Sequence, residues 1–249
     1  MEAVKSRFLD QLPGHEQRRL LALGRDNVEH LARHRCEGTP LQYLEGSAAF
    51  VDFEVIVDRR VLIPRPETEG LYELAIALCD SPSVIVDLGT GSGVLAIAMA
   101  RRNPAAAVHG VDLSPEALEL AGVNVARLAP QVHLHHGDLF SPLPRDLKGQ
   151  IDLVVANPPY VSTSEWSRLP LDVQREPHIA LVGGVTGDEV LRRIAADAAP
   201  WLSPGALVVC EIGETQAGVM MEAFAPLGEV LVHRDLSDRP RYVSVERAR

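Results

Sequence analysis

The sequence predicts an α/β protein with a mostly parallel sheet, helices on both faces and an antiparallel pair of strands at one edge. Two features of the chain carry this prediction. From Ser83 onward, short runs rich in β-branched residues alternate with longer runs of helical spacing, which is typical of successive strand–helix units. The last segment, 230–245, has two short apolar runs around Asp238-Arg239-Pro240, and this arrangement predicts the antiparallel pair.

The residues before the sheet are expected to form small helices and a hairpin. Apolar positions at helical spacing in 15–35 predict one or two short helices. Alternating apolar residues in 50–57 predict a strand or hairpin. Pro64 and Pro66 then bar a regular helix until about Thr68. We therefore divide the chain into a small N-terminal helical region (1–39), a hairpin and linker (40–66), and a sheet-containing domain (67–249).

The sheet-forming part of the chain divides into strands and helices in a regular order. Strands are expected at 84–86, 108–111, 132–135, 151–156 and 206–211. Helices are expected at 94–102, 115–128 and 188–199. The carboxyl ends of the parallel strands should meet at one edge of the sheet, where open α/β sheets bind their ligands.

Composition narrows the class of protein. A chain of 249 residues that is 46% hydrophobic can bury one large domain with a small appendage. Its net charge of −10 disfavours nucleic acid as a direct partner. Three widely spaced cysteines predict neither a disulfide framework nor a metal site, and hence a reducing, cytoplasmic location. No targeting segment and no run of ~20 apolar residues is present, so no membrane association is expected.

A glycine-rich turn, Asp87-Leu88-Gly89-Thr90-Gly91-Ser92-Gly93, follows the first predicted strand and opens a helix. Glycines there permit a tight turn and a close approach of the backbone to a ligand. Asp112 ends the next strand about 20 residues later, where its carboxylate can accept hydrogen bonds from both hydroxyls of a ribose. This spacing fits a nicotinamide dinucleotide as well as S-adenosylmethionine. Leu95 occupies the position of the third glycine of the dinucleotide fingerprint, which favours S-adenosylmethionine.

The end of the third predicted strand extends the same candidate site. Gly137-Asp138-Leu139-Phe140 brings a carboxylate and apolar groups to the place where an adenine ring and its amine would lie. The predicted cofactor contacts are Asp87, Gly89, Thr90, Gly91, Gly93, Asp112, Leu113, Asp138, Leu139 and Asn157. A nucleotide-binding oxidoreductase is the competing interpretation of this half of the site.

The tetrapeptide Asn157-Pro158-Pro159-Tyr160 follows the fourth predicted strand directly, at the same sheet edge. An amide or aromatic amine is a weak nucleophile because its lone pair is delocalised, so a catalyst must orient the nitrogen and accept its hydrogens as charge develops. The side-chain carbonyl of Asn157 and the backbone carbonyl of Pro158 suit that task, and Tyr160 can pack against a planar acceptor. The motif predicts a substrate nitrogen held by these four residues, with Asn157, Pro158 and Tyr160 catalytic.

The glycine turn, Asp112 and the tetrapeptide together resemble the class I methyltransferases that act on amino and amide nitrogens. Four further segments, 62–69, 176–184, 211–213 and 235–241, resemble the HemK/PrmC family of release-factor glutamine N5-methyltransferases. This resemblance runs from about Pro40 to Val245, which is most of the chain.

The resemblance carries expectations about fold, chemistry and partner. It implies a Rossmann-like sheet of seven strands, and S-adenosylmethionine as the methyl donor with S-adenosylhomocysteine as its product. It implies that Asn157 and Pro158 accept the hydrogens of the glutamine amide in the Gly-Gly-Gln loop of a peptide-chain release factor. It also implies that Arg65 and Glu67, which precede the first strand of the sheet, help to close the cofactor site.

The sequence departs from that family's pattern in two places, and the first of them keeps other acceptors open. Family members usually carry a bundle of several helices that helps to dock the release factor, whereas about 39 residues precede Pro40 here. A small-molecule metabolite or another peptide is therefore an alternative acceptor. Val51-Asp52-Phe53 also stands where the family often has an aromatic residue followed by glycine. An adenine-directed nucleic-acid methyltransferase would share the tetrapeptide but conflicts with the net charge, and a non-enzymatic interaction module would not need both halves of the site.

Overall fold

The computed structural model describes residues 7–248, and small helices precede its sheet. Helix α1 spans Gly14–Leu23, α2 spans Val28–Cys36 and α3 spans Leu41–Glu45. They pack around an apolar cluster formed by Leu9, Leu20, Val28, Ala32 and Leu41. The two short helices predicted in 15–35 are confirmed, and the break between them begins at Gly24, whose φ of 139° favours glycine.

A hairpin joins the small helices to the sheet. Its strands, β1 (Ser47–Phe50) and β2 (Phe53–Ile56), pair antiparallel, as the alternation in 50–57 predicted. Phe50 and Val55 are buried in the same core as the main sheet. The side chain of Asn124 accepts a hydrogen bond from the Ile56 nitrogen at 2.8 Å and donates to the carbonyls of Ile56 and Ser92. These bonds attach the hairpin to the glycine turn.

Helices and strands alternate through the rest of the described chain. They are α4 (Pro66–Leu78), β3 (Val84–Leu88), α5 (Val94–Arg102), β4 (Ala107–Asp112), α6 (Pro115–Leu128), β5 (His133–His136), β6 (Ile151–Ala156), β7 (Val161–Ser162), α7 (His178–Leu181), β8 (Val182–Gly184), α8 (Glu189–Asp197), β9 (Leu202–Glu211), α9 (Ala217–Phe224), β10 (Val230–Arg234) and β11 (Pro240–Glu246). Within residues 7–248, seven strands form one sheet in the order β10-β11-β9-β6-β3-β4-β5. All neighbours pair in parallel except β11, which is antiparallel to β9 and β10. The predicted fold class is confirmed.

The sheet separates two apolar layers because side chains alternate between the faces of each strand. Ile85 of β3 packs with α4, α5 and α6, whereas its neighbour Val86 packs with α8 and α9. Burial of each such side chain contributes about 1.5–3 kcal/mol to folding, so these two layers hold the sheet edge rigid. No helix within residues 7–248 has both the length and the apolar composition of a membrane-spanning helix.

The strand order creates a crevice at the carboxyl edge of the sheet. From β3 the chain passes to β4 and β5 on one side, and it then returns to form β6 on the other side of β3. Ligands of open α/β sheets bind where the strand order reverses in this way. The turn after β3 and the tetrapeptide after β6 therefore face each other across one crevice.

Two element boundaries differ from the sequence-based expectation. Helix α4 begins at Pro66 rather than near Thr68. Proline is tolerated there because the N–H groups of the first helical turn have no acceptor within the helix, so the N–H that proline lacks is not missed. Strand β9 begins at Leu202 rather than 206, although Pro204 and Gly205 are typical of a turn. Its register with β6 is irregular between Ile151 and Leu153, which pair with Leu202 and Leu207, so Pro204 and Gly205 lie within the irregularity.

Candidate active site

A cleft of about 1200 Å³, including its opening to solvent, lies at the crevice between β3 and β6. One wall is formed by the turns that follow β3, β4 and β5, and another by the tetrapeptide after β6. The segment 60–64 and the helix α7 contribute further residues at its border. A cleft of this size with mainly apolar walls and a few polar groups fits a ligand of cofactor size.

The glycine turn is shaped by hydrogen bonds within its own neighbourhood. The nitrogens of Gly89 and Thr90 donate to the carbonyl of Val111 at 2.8 and 2.9 Å, which ties the turn to β4. Gly89 and Gly91 have φ values of 74° and 54°, in the region that favours glycine. Gly89, Thr90 and Gly91 line the cleft, so the structure brings these three predicted cofactor contacts together.

Asp87 and Gly93 lie beside the cleft wall and support the glycine turn. Asp87 is 1% exposed and does not line the cleft, and its carboxylate accepts hydrogen bonds from the Thr90 hydroxyl at 2.6 Å and the Ala96 nitrogen at 3.1 Å. Burial raises the pKa of Asp87 to about 7, although these two bonds oppose the rise. Gly93 opens α5 against Ala121 and is likewise outside the cleft wall. Their contact with a cofactor stays a prediction.

Asp112 is the carboxylate that does face the cleft. Its two oxygens accept hydrogen bonds from the nitrogens of Gly91 and Ser114, at 2.8 and 2.9 Å. Burial raises the pKa of Asp112. Because a carboxylate offers about four acceptor positions, each oxygen retains one for a ligand hydroxyl. The backbone thus holds Asp112 in the position that the sequence predicted, beside the exposed side chain of Leu113.

The turn after β5 closes this end of the cleft. The Gly137 nitrogen donates to the Asp112 carbonyl at 2.9 Å, and Asp138 and Leu139 line the cleft as predicted. The carboxylate of Asp138 also forms an ion pair with Arg193 of α8. Leu139 has a φ of 47°, an uncommon backbone conformation for a branched apolar residue, and such strained positions cluster at ligand sites.

At the other end of the cleft, the structure gathers the tetrapeptide with residues from distant parts of the chain. Asn157, Pro158 and Pro159 line the cleft. The Asn157 side-chain nitrogen donates to the Thr68 hydroxyl at 2.9 Å, and that hydroxyl donates to the Glu211 carboxylate at 3.3 Å. Gly183 of β8 lies so close to this loop that a Cβ there would be 2.3 Å from the Pro159 carbonyl oxygen. The loop is therefore held tightly from both sides.

Tyr160 is not among the residues that line the cleft. Its hydroxyl donates to Glu211 at 3.0 Å, and its backbone carbonyl accepts a hydrogen bond from the side chain of Gln216. Burial raises the pKa of the Tyr160 hydroxyl. Tyr160 therefore anchors the loop that carries Asn157, and its predicted catalytic contact stays a prediction.

Arg65 and Glu67 also lie outside the cleft. Arg65 forms an ion pair with buried Glu176, whose other oxygen accepts a hydrogen bond from the Ile63 nitrogen at 2.9 Å. The Glu67 carbonyl accepts a hydrogen bond from the Tyr242 hydroxyl at 2.8 Å because the first turn of α4 packs against β11. Arg65 thus fixes the segment 62–65 and Glu67 fixes the start of α4, while their predicted part in closing the cofactor site stays a prediction.

Thr68 and Glu211 are the residues whose place at the site was not predicted. Each belongs to a segment that resembles a family motif, 62–69 or 211–213, but neither has a neighbour in sequence that indicates a role. Glu211 is 1% exposed, and burial raises its pKa to about 7. Only the folded chain brings them to Asn157, since Thr68 and Glu211 are 143 residues apart.

Comparison with known proteins places the chain among methyltransferases. The family described as Methyltransferase small domain matches residues 74–169, which include the glycine turn, Asp112 and the tetrapeptide. A release factor glutamine methyltransferase from Gloeobacter violaceus is 42% identical over 219 residues, covering 86% of this chain and 73% of that relative. Another from Mycolicibacterium smegmatis is 42% identical over 225 residues, covering 88% of this chain and 79% of that relative.

Solved structures agree in fold. A methyltransferase from Pyrococcus furiosus superposes with a TM-score of 0.60 at 19% identity, covering 78% of this chain and 89% of that chain. A T. thermophilus 16S rRNA N2 G1207 methyltransferase in complex with AdoMet and guanosine has a TM-score of 0.58 at 18% identity, over 81% of this chain and 49% of that chain. These likenesses concern the fold alone. The identity to the sequence relatives extends over most of both chains, and it shows that this chain belongs to the release factor glutamine methyltransferase family.

Proposed function

We propose that this protein transfers a methyl group from S-adenosylmethionine to the side-chain amide of a glutamine in a peptide-chain release factor, with S-adenosylhomocysteine as the second product. One observation carries the proposal beyond family membership. A single cleft is lined by the glycine turn and Asp112 at one end and by Asn157 and Pro158 at the other. The two ends suit the two substrates of such a transfer.

The cofactor end fits S-adenosylmethionine on three grounds. Gly89 and Gly91 adopt positive φ, so their backbone can approach a ligand where a side chain would be strained. Asp112 keeps acceptor positions for the ribose hydroxyls, and Leu113 and Leu139 offer apolar surface for the adenine. When bound, this cofactor supplies a methyl group on a sulfonium, which is activated for transfer. These residues would bind and orient it.

The acceptor end supplies two carbonyl groups on a rigid loop. The oxygens of the Asn157 side chain and the Pro158 backbone would accept the two N–H groups of a glutamine amide and orient its nitrogen. As the new N–C bond forms and the bond between the methyl group and sulfur breaks, positive charge develops on that nitrogen, and fixed carbonyl dipoles would stabilise it in the transition state. The methylated nitrogen would then release one of its two protons to solvent. Holding the nitrogen in line with the methyl group would raise the rate of transfer further, because the reaction becomes effectively unimolecular.

Methylation of a purified release factor tests the proposal. The protein would be incubated with release factor and S-adenosylmethionine labelled in the methyl group, and the modified peptide identified by mass spectrometry. The expected result is one methyl group on the glutamine of the Gly-Gly-Gln loop. A release factor with glutamate in place of that glutamine has no amide nitrogen there and serves as the control. Label on another residue, or on the control, would contradict the proposal.

A further inference from the structure

The side chains of Asn157, Thr68 and Glu211 form a row of hydrogen bonds that starts at the acceptor end of the cleft, where Asn157 and Thr68 both line the wall, and leads away from it to Glu211. Asn157 follows β6, Thr68 lies in the first turn of α4 at 3% exposure, and Glu211 ends β9. The two bonds measure 2.9 Å from the Asn157 nitrogen to the Thr68 oxygen and 3.3 Å from that oxygen to Glu211. Three separate elements of the sheet domain meet at this row.

The chemistry of the row determines which way the Asn157 amide points. An ionised carboxylate only accepts hydrogen bonds, so the Thr68 hydroxyl uses its single proton to donate to Glu211. The Thr68 oxygen can then only accept from Asn157, and Asn157 must turn its NH2 group toward Thr68. Its carbonyl oxygen is left for the cleft. The opposite orientation would aim an NH2 group at the acceptor amide, and two donors do not form a hydrogen bond.

The partners of Glu211 oppose, but do not cancel, the effect of burial on this carboxylate. Its second oxygen accepts a hydrogen bond from the Tyr160 hydroxyl at 3.0 Å. Buried Arg241 lies close enough that its positive charge lowers the pKa of Glu211, and the Tyr160 and Thr68 hydroxyls act in the same direction against the larger effect of burial. A carboxylate with these partners acts as an acceptor toward both hydroxyls above about pH 7.

We propose that Thr68 and Glu211 are a positioning pair that fixes the Asn157 carbonyl toward the methyl acceptor and thereby sets the rate of amide methylation. The proposal rests on the function proposed above, in which Asn157 holds the acceptor amide. Glu211 does not line the cleft, and Thr68, which does line it, gives its only hydroxyl proton to Glu211. They act through Asn157, and their effect should vanish when Asn157 is absent.

A set of isosteric variants tests this dependence. Thr68→Val keeps the shape of the side chain but removes the hydroxyl, and we expect kcat to fall by about 10-fold or more, because misplaced catalytic groups cost that much. The KM for S-adenosylmethionine should change by less than about 3-fold, since the cofactor end is untouched. Thr68→Ser restores the hydroxyl and should restore most of kcat. Ser244→Ala removes the buried hydroxyl that hydrogen-bonds His233 in the same sheet and should leave kcat unchanged.

The double variant Thr68→Val/Asn157→Ala separates positioning from a general structural role. If Thr68 acts through Asn157, the double variant should be no slower than Asn157→Ala alone, because coupled residues are not additive. Two outcomes would overturn the proposal: multiplied losses in the double variant, or wild-type kcat for Thr68→Val.

A readout that needs no acceptor distinguishes this proposal from the proposed function. In nitrogen-edited NMR spectra, the side-chain NH2 signals of Asn157 are identified by their loss in Asn157→Ala. They should shift in Thr68→Val and stay in place in Thr68→Ser. If the wild-type protein fails to methylate release factor while these shifts occur, only the proposed substrate is wrong. Unshifted signals in Thr68→Val would refute the positioning pair whichever substrate is methylated.

Discussion

The two ends of the cleft are built in different ways. At the cofactor end, the side-chain hydrogen bonds of Asp87 and Asp112 join residues at most 21 positions apart. The ion pair of Asp138 with Arg193 joins residues 55 positions apart at the rim of that end. At the acceptor end, the bonds of Asn157, Tyr160 and Thr68 join residues 89, 51 and 143 positions apart. The cofactor end is therefore built mainly from a local motif, whereas the acceptor end exists only where distant elements meet.

This difference predicts that the two ends can be damaged separately. Substitutions at the acceptor end should lower turnover with little effect on cofactor affinity. Substitutions at the cofactor end should weaken cofactor affinity with little effect on turnover. Four substitutions test this comparison.

Asn157→Ala should have the largest effect. Removal of a hydrogen-bond acceptor that works in the transition state is expected to lower kcat by ~10²-fold or more. The Kd for S-adenosylmethionine should stay within a few-fold of wild type. Steady-state kinetics with release factor and calorimetric titration of the cofactor measure the two quantities. Equal losses in both would mean that the ends of the cleft are not separable.

Asp112→Ala should show the opposite pattern. The carboxylate holds the Gly91 nitrogen and has acceptor positions for the ribose, and hydrogen bonds to charged groups contribute about 1.5–3 kcal/mol each. We expect the Kd for S-adenosylmethionine to rise by ~10-fold or more, while kcat at saturating cofactor falls much less. The same calorimetric and kinetic measurements apply. A selective loss of kcat would reverse the assignment of this end.

Asp87→Asn should change the pH dependence of stability. The pKa of Asp87 is raised to about 7 in the folded protein from its ordinary value of 3.8, so folding takes up a proton between these values. The contribution of Asp87 to stability is therefore fully present below about pH 4 and is lost as the pH rises through about 7. Asparagine does not titrate, so the difference in unfolding free energy between about pH 5.5 and 8 should be smaller in the variant.

Denaturant unfolding at both pH values measures the effect of Asp87→Asn. Glu211 also has a pKa raised to about 7. The dependence of the unfolding free energy on pH should therefore be weaker in Asp87→Asn than in the wild type, but still present. An unchanged trend would show that Asp87 does not take up a proton on folding.

Val51→Gly should have the smallest effect, and it lies outside both ends of the cleft. Val51 is the first residue of the two-residue hairpin turn and has a φ of 51°, a position where glycine is favoured. Its side chain is 52% exposed, so little burial is lost. We expect a gain in stability of about 1 kcal/mol or less, measured as a rise in Tm of a few degrees, with kcat and Kd unchanged. A lower Tm would mean that the turn is not strained.

Much of the sheet could be predicted because its signals are local. The bounds of α5, α6 and β6 agree with the sequence-based expectation, since each has a clear period and a distinct start. Helix α6, for example, begins after Ser114, whose side chain accepts a hydrogen bond from the Ala117 nitrogen. Boundaries that depend on partners, such as the start of β9 beside β6, could not be predicted in the same way.

The candidate site likewise has residues whose place could be predicted from local sequence and residues whose place depends on packing. Gly89, Thr90, Gly91, Asp112, Leu113, Asp138, Leu139, Asn157, Pro158 and Pro159 line the cleft as the sequence predicted, although their contacts with ligands remain predictions. Asp87, Gly93, Tyr160, Arg65 and Glu67 were predicted in the site and lie behind its walls. Whether a residue faces a cleft or supports it depends on the orientation of its side chain, which motif spacing does not specify.

The fold class, the alternation of strands and helices, and the loops that carry the site follow from periodicity, glycines and prolines over short stretches of sequence. The contacts of Asn157 with Thr68, and of Thr68 and Tyr160 with Glu211, arise only in the folded protein. The physical reason is that a buried hydroxyl or carboxylate must find hydrogen-bond partners, and here those partners come from elements that only packing brings together.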